Sequence, residues 1–216
     1  FITALDIAAS MLKAGSYKYA LVIGSEKMSE IVNWKDRSVC VLFGDGAGAV
    51  VLKAVDNNTE DVTGALVGHE RGIIDSNIYN DGTGASVLTG GRRFSDSCST
   101  DIFIHMDGQE VFKFAVKSVP TAIETLLHNN NMDINEVDKF ILHQANVRII
   151  ESVAKRLKAD KDKFPVNLNE YGNTSSASIP ILLDELNRNG SLKQGEKLVL
   201  AGFGAGLSWG SILLVW

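Results

Sequence analysis

Two polar residues thirty positions apart, His143 and Asn173, are the first candidates for chemistry in this sequence. His143 directly follows Lys139–Leu142, an apolar segment that predicts a short buried strand, and Asn173 follows Gly172 shortly before a predicted helix. Strand ends and helix N-termini are the usual places for sites in α/β proteins. An imidazole and a carboxamide placed there can both donate a hydrogen bond to one oxygen. Such a pair suits a reaction in which negative charge grows on a carbonyl.

Both residues also have ordinary structural interpretations. A histidine at the end of a strand often has only a structural role, and an asparagine after a glycine is often a turn or cap residue. Neither residue alone therefore indicates a site. Their joint placement, together with a glycine-rich segment near the C-terminus, favours the functional interpretation.

Apolar periodicity along the chain predicts alternating helices and strands, which is typical of an α/β protein. Helices are predicted at residues 1–12, 109–129, 147–157 and 175–187. Strands are predicted at residues 19–23, 49–52, 62–68, 139–142, 196–200 and 211–215. A segment rich in Gly, Ser, Asp and Asn, residues 75–100, predicts a long surface loop.

The two ends of the chain repeat one order of elements: a helix, an apolar strand, a glycine-rich turn and a second apolar strand. This repetition predicts a duplicated α/β fold. The helix at Phe1 then corresponds to the helix that follows Asn173, so we expect its N-terminus to face the same site. Because the sequence opens directly on an amphipathic helix, we also expect it to begin inside a folded domain.

Composition excludes several classes of protein. The chain has 216 residues, of which 45% are hydrophobic, and this is enough for a substantial core. A net charge of −5 argues against a general nucleic-acid binder. No apolar stretch reaches the roughly 20 residues of a membrane span. We therefore expect no nucleic-acid or membrane partner.

The two cysteines, Cys40 and Cys98, have no metal-ligand spacing around them. This pattern fits a reducing cytoplasm and excludes a disulfide scaffold, so we predict a cytoplasmic protein without a metal site. Cys40 is predicted to pack in the core and Cys98 to lie in an exposed loop. Neither has a helix N-terminus or basic neighbours to lower its thiol pKa, so neither is expected to be a nucleophile.

The glycine-rich segments do not match nucleotide-binding motifs. Gly44-Asp45-Gly46-Ala47-Gly48 precedes a strand and lacks the dinucleotide fingerprint, and no P-loop occurs anywhere in the chain. Near the C-terminus, Phe203-Gly204-Ala205-Gly206 has two interpretations. Its small residues let backbone amides approach a ligand closely, or they form a tight hairpin. The residues alone leave both open.

Four motifs, taken in order, resemble β-ketoacyl-acyl-carrier-protein synthase III, the thiolase-fold enzyme that starts type II fatty-acid synthesis. They are Gly-Asp-Gly-Ala-Gly-Ala at 44–49, His-Gln-Ala-Asn-x-Arg-Ile-Ile at 143–150, Gly-Asn-Thr-Ser-x-Ala-Ser at 172–178 and Gly-Phe-Gly-x-Gly-x-x-Trp-Gly at 202–210. The resemblance implies a thiolase-like duplicated α/β fold with αβαβα layers. Residues 1–56 would end the N-terminal half, and residues 57–216 would form the C-terminal half.

The resemblance also implies a reaction, a decarboxylative Claisen condensation of an acyl-CoA primer with malonyl-acyl carrier protein. His143 and Asn173 match two members of the family's Cys-His-Asn triad. Phe1 matches the last residue of the family's Ala-Cys-x-Gly-Phe motif, so the nucleophilic cysteine is expected three positions before Phe1. The backbone amide of Ala205 would help to hold the tetrahedral oxyanion. The 216 residues alone are expected to be inactive.

Further positions follow from the same resemblance. Arg37 matches the arginine that packs on the adenine of CoA. Asn146 matches a residue near the pantetheine, Arg148 would contact the pantetheine entrance, and Phe203 matches the aromatic residue beside the triad. The resemblance implies a homodimer that uses coenzyme A thioesters as substrates and needs no resident cofactor.

Three cations at helical spacing, Arg148, Lys155 and Arg156, share one face of the predicted helix. Such a face is usually only solvated, but here it resembles the docking surface for the acidic carrier protein. Two other functions stay open. One is a related thiolase-fold acyltransferase of polyketide or secondary metabolism, and the other is a non-catalytic fragment.

Overall fold

The computed structural model describes residues 1–55, 59–60, 66–67, 71–90 and 103–216. The helices are α1 (Ile2–Lys13), α2 (Gly108–Asn129), α3 (Val147–Leu157), α4 (Leu168–Tyr171) and α5 (Ser178–Arg188). The strands are β1 (Tyr19–Glu26), β2 (Gly46–Lys53), β3 (Thr59–Glu60), β4 (Leu66–Val67), β5 (Gly72–Asn80), β6 (Leu88–Gly90), β7 (Ile104–Met106), β8 (Lys139–Leu142), β9 (Lys197–Gly204) and β10 (Ser208–Val215).

A four-stranded sheet with the order β5-β10-β9-β8 lies at the centre of the molecule. β8 runs parallel to β9, whereas β10 is antiparallel to both β9 and β5. Helices cover both faces of this sheet: α2 and α3 pack on one, and α1 and α5 pack on the other. Because both faces are covered, β8 and β9 consist mainly of buried residues such as Phe140, Ile141 and Leu200.

A second, two-stranded sheet is formed by β1 and β2, which pair in antiparallel register from Tyr19–Lys53 to Glu26–Gly46. Its inner face lies against α5 and a short 3₁₀ turn, Ser175–Ala177. The contact is so close that a Cβ atom at Gly24 would lie 2.5 Å from the carbonyl oxygen of Ser176. Only glycine permits this approach. The described layers therefore run sheet, helices, sheet, helices.

The outer face of the β1–β2 sheet is apolar and exposed. Leu21 on β1 and Val51 on β2 are direct cross-strand neighbours, with exposed fractions of 61% and 69%. The segment at residues 19–23 was predicted to be a buried strand. That prediction is correct for the strand and wrong for its burial, because only alternate residues such as Val22 face the helices.

The predicted helices at 1–12, 109–129, 147–157 and 175–187 are confirmed, with α5 preceded by the 3₁₀ turn. The repeated order is also confirmed. α1 leads to the antiparallel pair β1–β2, and α5 leads to the antiparallel pair β9–β10. The expected strand at 62–68 is described only at β4, and the proposed boundary between 56 and 57 lies outside the described residues.

The predicted loop at 75–100 is wrong for its first part, where β5 continues to Asn80 and β6 follows. β5 can contain polar residues because their side chains form hydrogen bonds inside the fold. Asn77 accepts hydrogen bonds from the backbone amide and the hydroxyl of Ser211, at 3.1 and 2.7 Å, and donates one to Ala122. Residues 91–100, including Cys98, lie outside the described residues.

Two further observations concern the described residues only. No helix among them is both long and apolar enough to cross a membrane. Within the same ranges, no group of three or more His, Cys, Asp or Glu side chains is placed to hold a metal ion.

Cys40 is half-buried and packs at the edge of a small apolar cluster with Val39 and Met28.

Candidate active site

A cavity of about 220 Å³ lies where α1, β8, α5 and the β9–β10 pair meet. The first residues of α1 form one wall, which confirms that the N-terminus of this helix faces the site. His143 comes from the end of β8, and Ser175 and Ser176 come from the turn before α5. The rest of the wall is made by the end of β9, including Phe203, and by the start of β10.

His143 is fixed in the cavity wall from several sides. Its backbone amide donates to the carbonyl oxygen of Ala201 at 2.8 Å, which extends the β8–β9 pairing by one residue. Its ring packs edge-on against Phe203, with 5.3 Å between the ring centroids. Its Nδ1 lies 2.7 Å from the hydroxyl oxygen of Ser178.

The environment of His143 keeps its imidazole neutral. Burial lowers the pKa of His143 from 6.5 to about 4. At neutral pH the ring therefore has a single N–H. Its Nε2 has no hydrogen-bond partner among the described residues and is not fully enclosed, so it is the ring nitrogen available to the cavity.

Asn173 lies behind the Ser175–Ala177 turn and is 9% exposed. Its backbone bridges to the segment after β1: the amide donates to Leu42 at 2.8 Å, and the carbonyl accepts from Gly44 at 3.0 Å. Its side-chain Oδ1 accepts from the amide of Ser175 at 2.9 Å. This bond identifies the oxygen of the carboxamide and leaves Nδ2 as a donor without a partner in the described part of the chain.

The structure thus brings His143 to the cavity wall. Asn173 lies next to the wall, because its side chain is hydrogen-bonded to the lining residue Ser175. Asn173 itself does not line the cavity. Nε2 of His143 and Nδ2 of Asn173 donate to no group among the described residues. Together these donors could stabilise a developing oxyanion, which is the chemistry that their residue types indicate.

Three polar residues of the site were not predicted from the sequence. Ser178 contacts the ring of His143, and Glu26 accepts hydrogen bonds from the amide and hydroxyl of Ser176. Gln144 is 1% exposed and connects β8 to the segment before α4, because it donates to Leu142 and accepts from Asn167. For Gln144 and Ser178 the available signal was a polar residue inside a motif. No local signal marks Glu26.

The C-terminal glycine-rich segment was predicted either to form a tight hairpin or to bring backbone amides close to a ligand. It forms the tight connection between β9 and β10, and Gly202, Phe203 and Gly204 also line the cavity. Ala205 lies in the exposed turn, one residue beyond this wall. Its role as an oxyanion donor stays a prediction.

Three of the four predicted substrate residues, Arg37, Asn146 and Arg148, do not line the cavity. Arg37 is exposed in the segment between the 3₁₀ turn Met28–Glu30 and β2. Asn146 is the N-cap of α3, where its Oδ1 accepts from the amide of Arg148 at 2.9 Å. The capping bond gives Asn146 a structural role, and contacts of these three residues with a substrate stay predictions.

The predicted docking residues Arg148, Lys155 and Arg156 are all exposed on α3. Two of them extend toward α2. The guanidinium of Arg148 lies 5.9 Å from the ring centroid of Phe112, and Nη1 of Arg156 donates to the carbonyl oxygen of Val116 at 3.3 Å. These contacts orient two of the three charges beside the α2–α3 contact.

Comparison with known proteins agrees with this architecture. Residues 1–72 match the family 3-oxoacyl-[acyl-carrier-protein (ACP)] synthase III, and residues 127–216 match the C-terminal part of the same family. The β-ketoacyl-[acyl-carrier-protein] synthase III of Clostridium acetobutylicum is 45% identical over 222 residues, covering 100% of this chain and 64% of that protein. The chain thus spans about 64% of the length of the first curated relatives it matches.

Solved structures give the same result. The 3-oxoacyl-[acyl-carrier-protein] synthase III of Aquifex aeolicus superposes with a TM-score of 0.87 at 43% identity, covering 100% of this chain and 64% of that one. The priming β-ketosynthase of the R1128 polyketide pathway gives 0.84 at 34% identity, with coverage of 100% and 62%. The described layers are therefore those of the thiolase fold. The two parts of one family match this chain in their expected order. The chain therefore belongs to the 3-oxoacyl-[acyl-carrier-protein] synthase III family.

Proposed function

We propose that this chain serves the decarboxylative condensation of an acyl-CoA primer with malonyl-acyl carrier protein, the first step of fatty-acid synthesis. The observation that carries the proposal is the pair of oriented donors beside the cavity, Nε2 of the neutral His143 and Nδ2 of Asn173. Donors that the protein already holds in place stabilise an enolate at no cost of reorientation. Water molecules, by contrast, would have to reorient as the negative charge forms.

In the proposed reaction, the bond between the malonyl methylene and its carboxylate breaks and CO₂ leaves. The electron pair of that bond delocalises onto the thioester oxygen, where His143 and Asn173 donate hydrogen bonds. The resulting carbanion attacks the carbonyl of the acyl-cysteine, and the cysteine leaves as a thiolate. Acyl groups arrive as thioesters, so no resident cofactor is needed.

The family resemblance assigns the acyl-carrying cysteine to a position before Phe1. The N-terminus of α1 faces the cavity, and a helix dipole there favours a thiolate. Cys40 is half-buried in a separate apolar cluster, so it is a poor substitute. We accordingly propose that the 216 residues alone accept no acyl group. Stoichiometric labelling of Cys40 by radioactive acetyl-CoA would contradict this.

We propose that the remaining predicted residues bind the two substrates. The face formed by Arg148, Lys155 and Arg156 would receive the acidic carrier protein, and Arg37 would pack on the adenine of CoA. A homodimer and a cytoplasmic location complete the proposal. The resemblance to the R1128 priming ketosynthase keeps polyketide priming as the second candidate, since its match also covers the whole chain.

Assays of the complete protein that contains this chain distinguish these functions. The proposal predicts that β-ketoacyl-carrier protein forms from a short acyl-CoA and malonyl-carrier protein of fatty-acid synthesis. Turnover only with the carrier protein of a polyketide cluster would favour the second candidate. If neither product forms and no cysteine occurs three positions before Phe1, the chain is a non-catalytic relative.

A further inference from the structure

We propose that Ser178 is the positioning residue that holds His143 in its Nε2–H tautomer, an inference that rests on the proposed role of His143 as a donor. Ser178 is the first residue of α5 and is 2% exposed. Its Oγ lies 2.7 Å from Nδ1 of His143, a short distance for a hydrogen bond between neutral groups. The contact joins α5 directly to the end of β8.

The direction of this hydrogen bond follows from the other partner of Ser178. The backbone amide of Gln144 donates to the same Oγ at 3.3 Å. An amide can only donate, so the hydroxyl accepts on that side and still has its own proton to place. Among the described residues, Nδ1 of His143 is the acceptor in contact with that hydroxyl. A hydroxyl oxygen can accept twice, but if Nδ1–H donated to it, the buried hydroxyl proton would have no acceptor among the described residues. The arrangement that gives this proton a partner has the Ser178 hydroxyl donating to Nδ1.

A ring nitrogen that accepts a hydrogen bond has no proton of its own. Because the half-buried imidazole is neutral at pH 7, its single proton is then on Nε2, the nitrogen available to the cavity. In the opposite tautomer, a lone pair of Nε2 would face the growing oxyanion and repel it. The bond from Ser178 thus determines whether His143 donates to the oxyanion or opposes it.

The same segment orients the second donor. Ser175, three residues before Ser178, donates its backbone amide to Oδ1 of Asn173 and so leaves Nδ2 as the free donor of the carboxamide among the described residues. Residues 175–178 therefore fix the donor side of both His143 and Asn173, one through a backbone amide and one through a hydroxyl. Only the hydroxyl can be removed by mutation without changing the backbone.

The first test reads the tautomer directly by ¹⁵N NMR of histidine-labelled protein at pH 7. The chain has four histidines, and the signal of His143 is assigned by its disappearance in His143→Gln. We expect a pyrrole-type signal from Nε2 and a pyridine-type signal from Nδ1. A protonated Nδ1 in the wild-type protein would overturn the proposal, whatever any variant does.

The second test uses three variants of the complete protein. Ser178→Ala should lower kcat for malonyl decarboxylation by about 10- to 100-fold, the range found when the partner that orients a metal-binding histidine is removed, with little change in KM. Ser178→Thr keeps the hydroxyl and should restore most of the rate. Ser211→Ala removes an equally buried serine that bonds to Asn77 and not to His143, so it should leave kcat unchanged.

The two measurements separate this inference from the proposed function. If Ser178→Ala lowers kcat but leaves the tautomer as in the wild type, the serine is only structural and the inference is wrong. An Nε2–H tautomer that Ser178→Ala disturbs, in a protein that decarboxylates no malonyl thioester, would support the inference and contradict the proposed function.

Discussion

At the scale of single residues, the site depends on a histidine that is kept neutral inside the fold. The motif at residues 143–150 and the predicted strand before it identified His143, and the structure confirms that it lines a cavity. Its serine partner was not identified, because Ser178 lies thirty-five positions further along the chain. Only the packing of α5 against the end of β8 brings the two together.

The neutral state of His143 has a measurable consequence for stability. Its pKa is about 4 in the folded protein and 6.5 in the unfolded chain, so below pH 6.5 the unfolded chain binds a proton that the folded protein does not. The free energy of unfolding should therefore fall between pH 6.5 and 4, by up to about 3 kcal/mol from this residue. Above pH 6.5 the contribution is constant.

Urea denaturation of the wild type and of His143→Gln, each at pH 7 and pH 4.5, measures this difference. Glutamine does not titrate, so the variant should lose less stability over that interval. An equal loss in both proteins would show that His143 is protonated as easily in the folded protein as in the unfolded chain.

At the scale of elements, helices were the most predictable part of the fold and close backbone contacts were the least. The strong apolar periodicity of α2 and α3 gave their positions almost to the residue. β5 was mistaken for a loop because its polar residues are satisfied by distant partners such as Ser211. Nothing local to Gly24 reveals that it lies against the backbone of Ser176.

That contact gives a prediction for Gly24→Ala. The new Cβ would lie 2.5 Å from the carbonyl oxygen of Ser176, so the turn that carries Ser175 and Ser176 must shift. We expect a loss of about 1–3 kcal/mol in the free energy of unfolding, as is typical of overpacking. Condensation by the complete protein should also fall, because the same turn orients Asn173.

Gly82→Ala is the matched control for this variant, since a Cβ there meets no atom within 4 Å and its φ is not positive. It should change the free energy of unfolding by less than about 0.5 kcal/mol. If Gly24→Ala were as mild as the control, β1 would not position the turn before α5.

At the scale of the whole molecule, the fold places the cavity where the starts of α1 and α5 meet the central sheet, and it places the basic face of α3 on the outside. The duplicated order of elements was predictable, because the spacing of apolar residues along the chain indicates each helix and strand. The burial of individual strands was not, because it depends on which layer covers each face. The apolar outer face of the β1–β2 sheet shows this most clearly.

We expect that exposed face to make this chain self-associate. Leu21 and Val51 form a cross-strand apolar pair, and contiguous exposed apolar surface promotes association. Leu21→Thr combined with Val51→Thr places β-branched residues, which favour strands, at both positions and should lower the apparent mass in analytical ultracentrifugation. An unchanged mass would show that this face does not drive association.

The charges on α3 give a second prediction at this scale. Lys155→Glu with Arg156→Glu should raise KM for malonyl-carrier protein and weaken its dependence on salt, because surface charges act mainly on the rate of encounter. Acylation by free acyl-CoA should stay nearly unchanged. Lys18→Glu with Lys53→Glu makes the same change in net charge just before β1 and at the end of β2, and it should leave KM unaltered. Equal effects of the two double variants would mean that only net charge matters.

The most direct test of the account is the rate of CO₂ release from malonyl-carrier protein by the complete protein with His143→Ala or Asn173→Ala. Each variant loses one of the two donors to the enolate oxygen, so each rate should fall by about 10²- to 10³-fold. Acylation by acyl-CoA should remain in both variants, because it does not use these donors. Wild-type rates of CO₂ release in either variant would contradict the central claim that His143 and Asn173 stabilise the decarboxylation transition state.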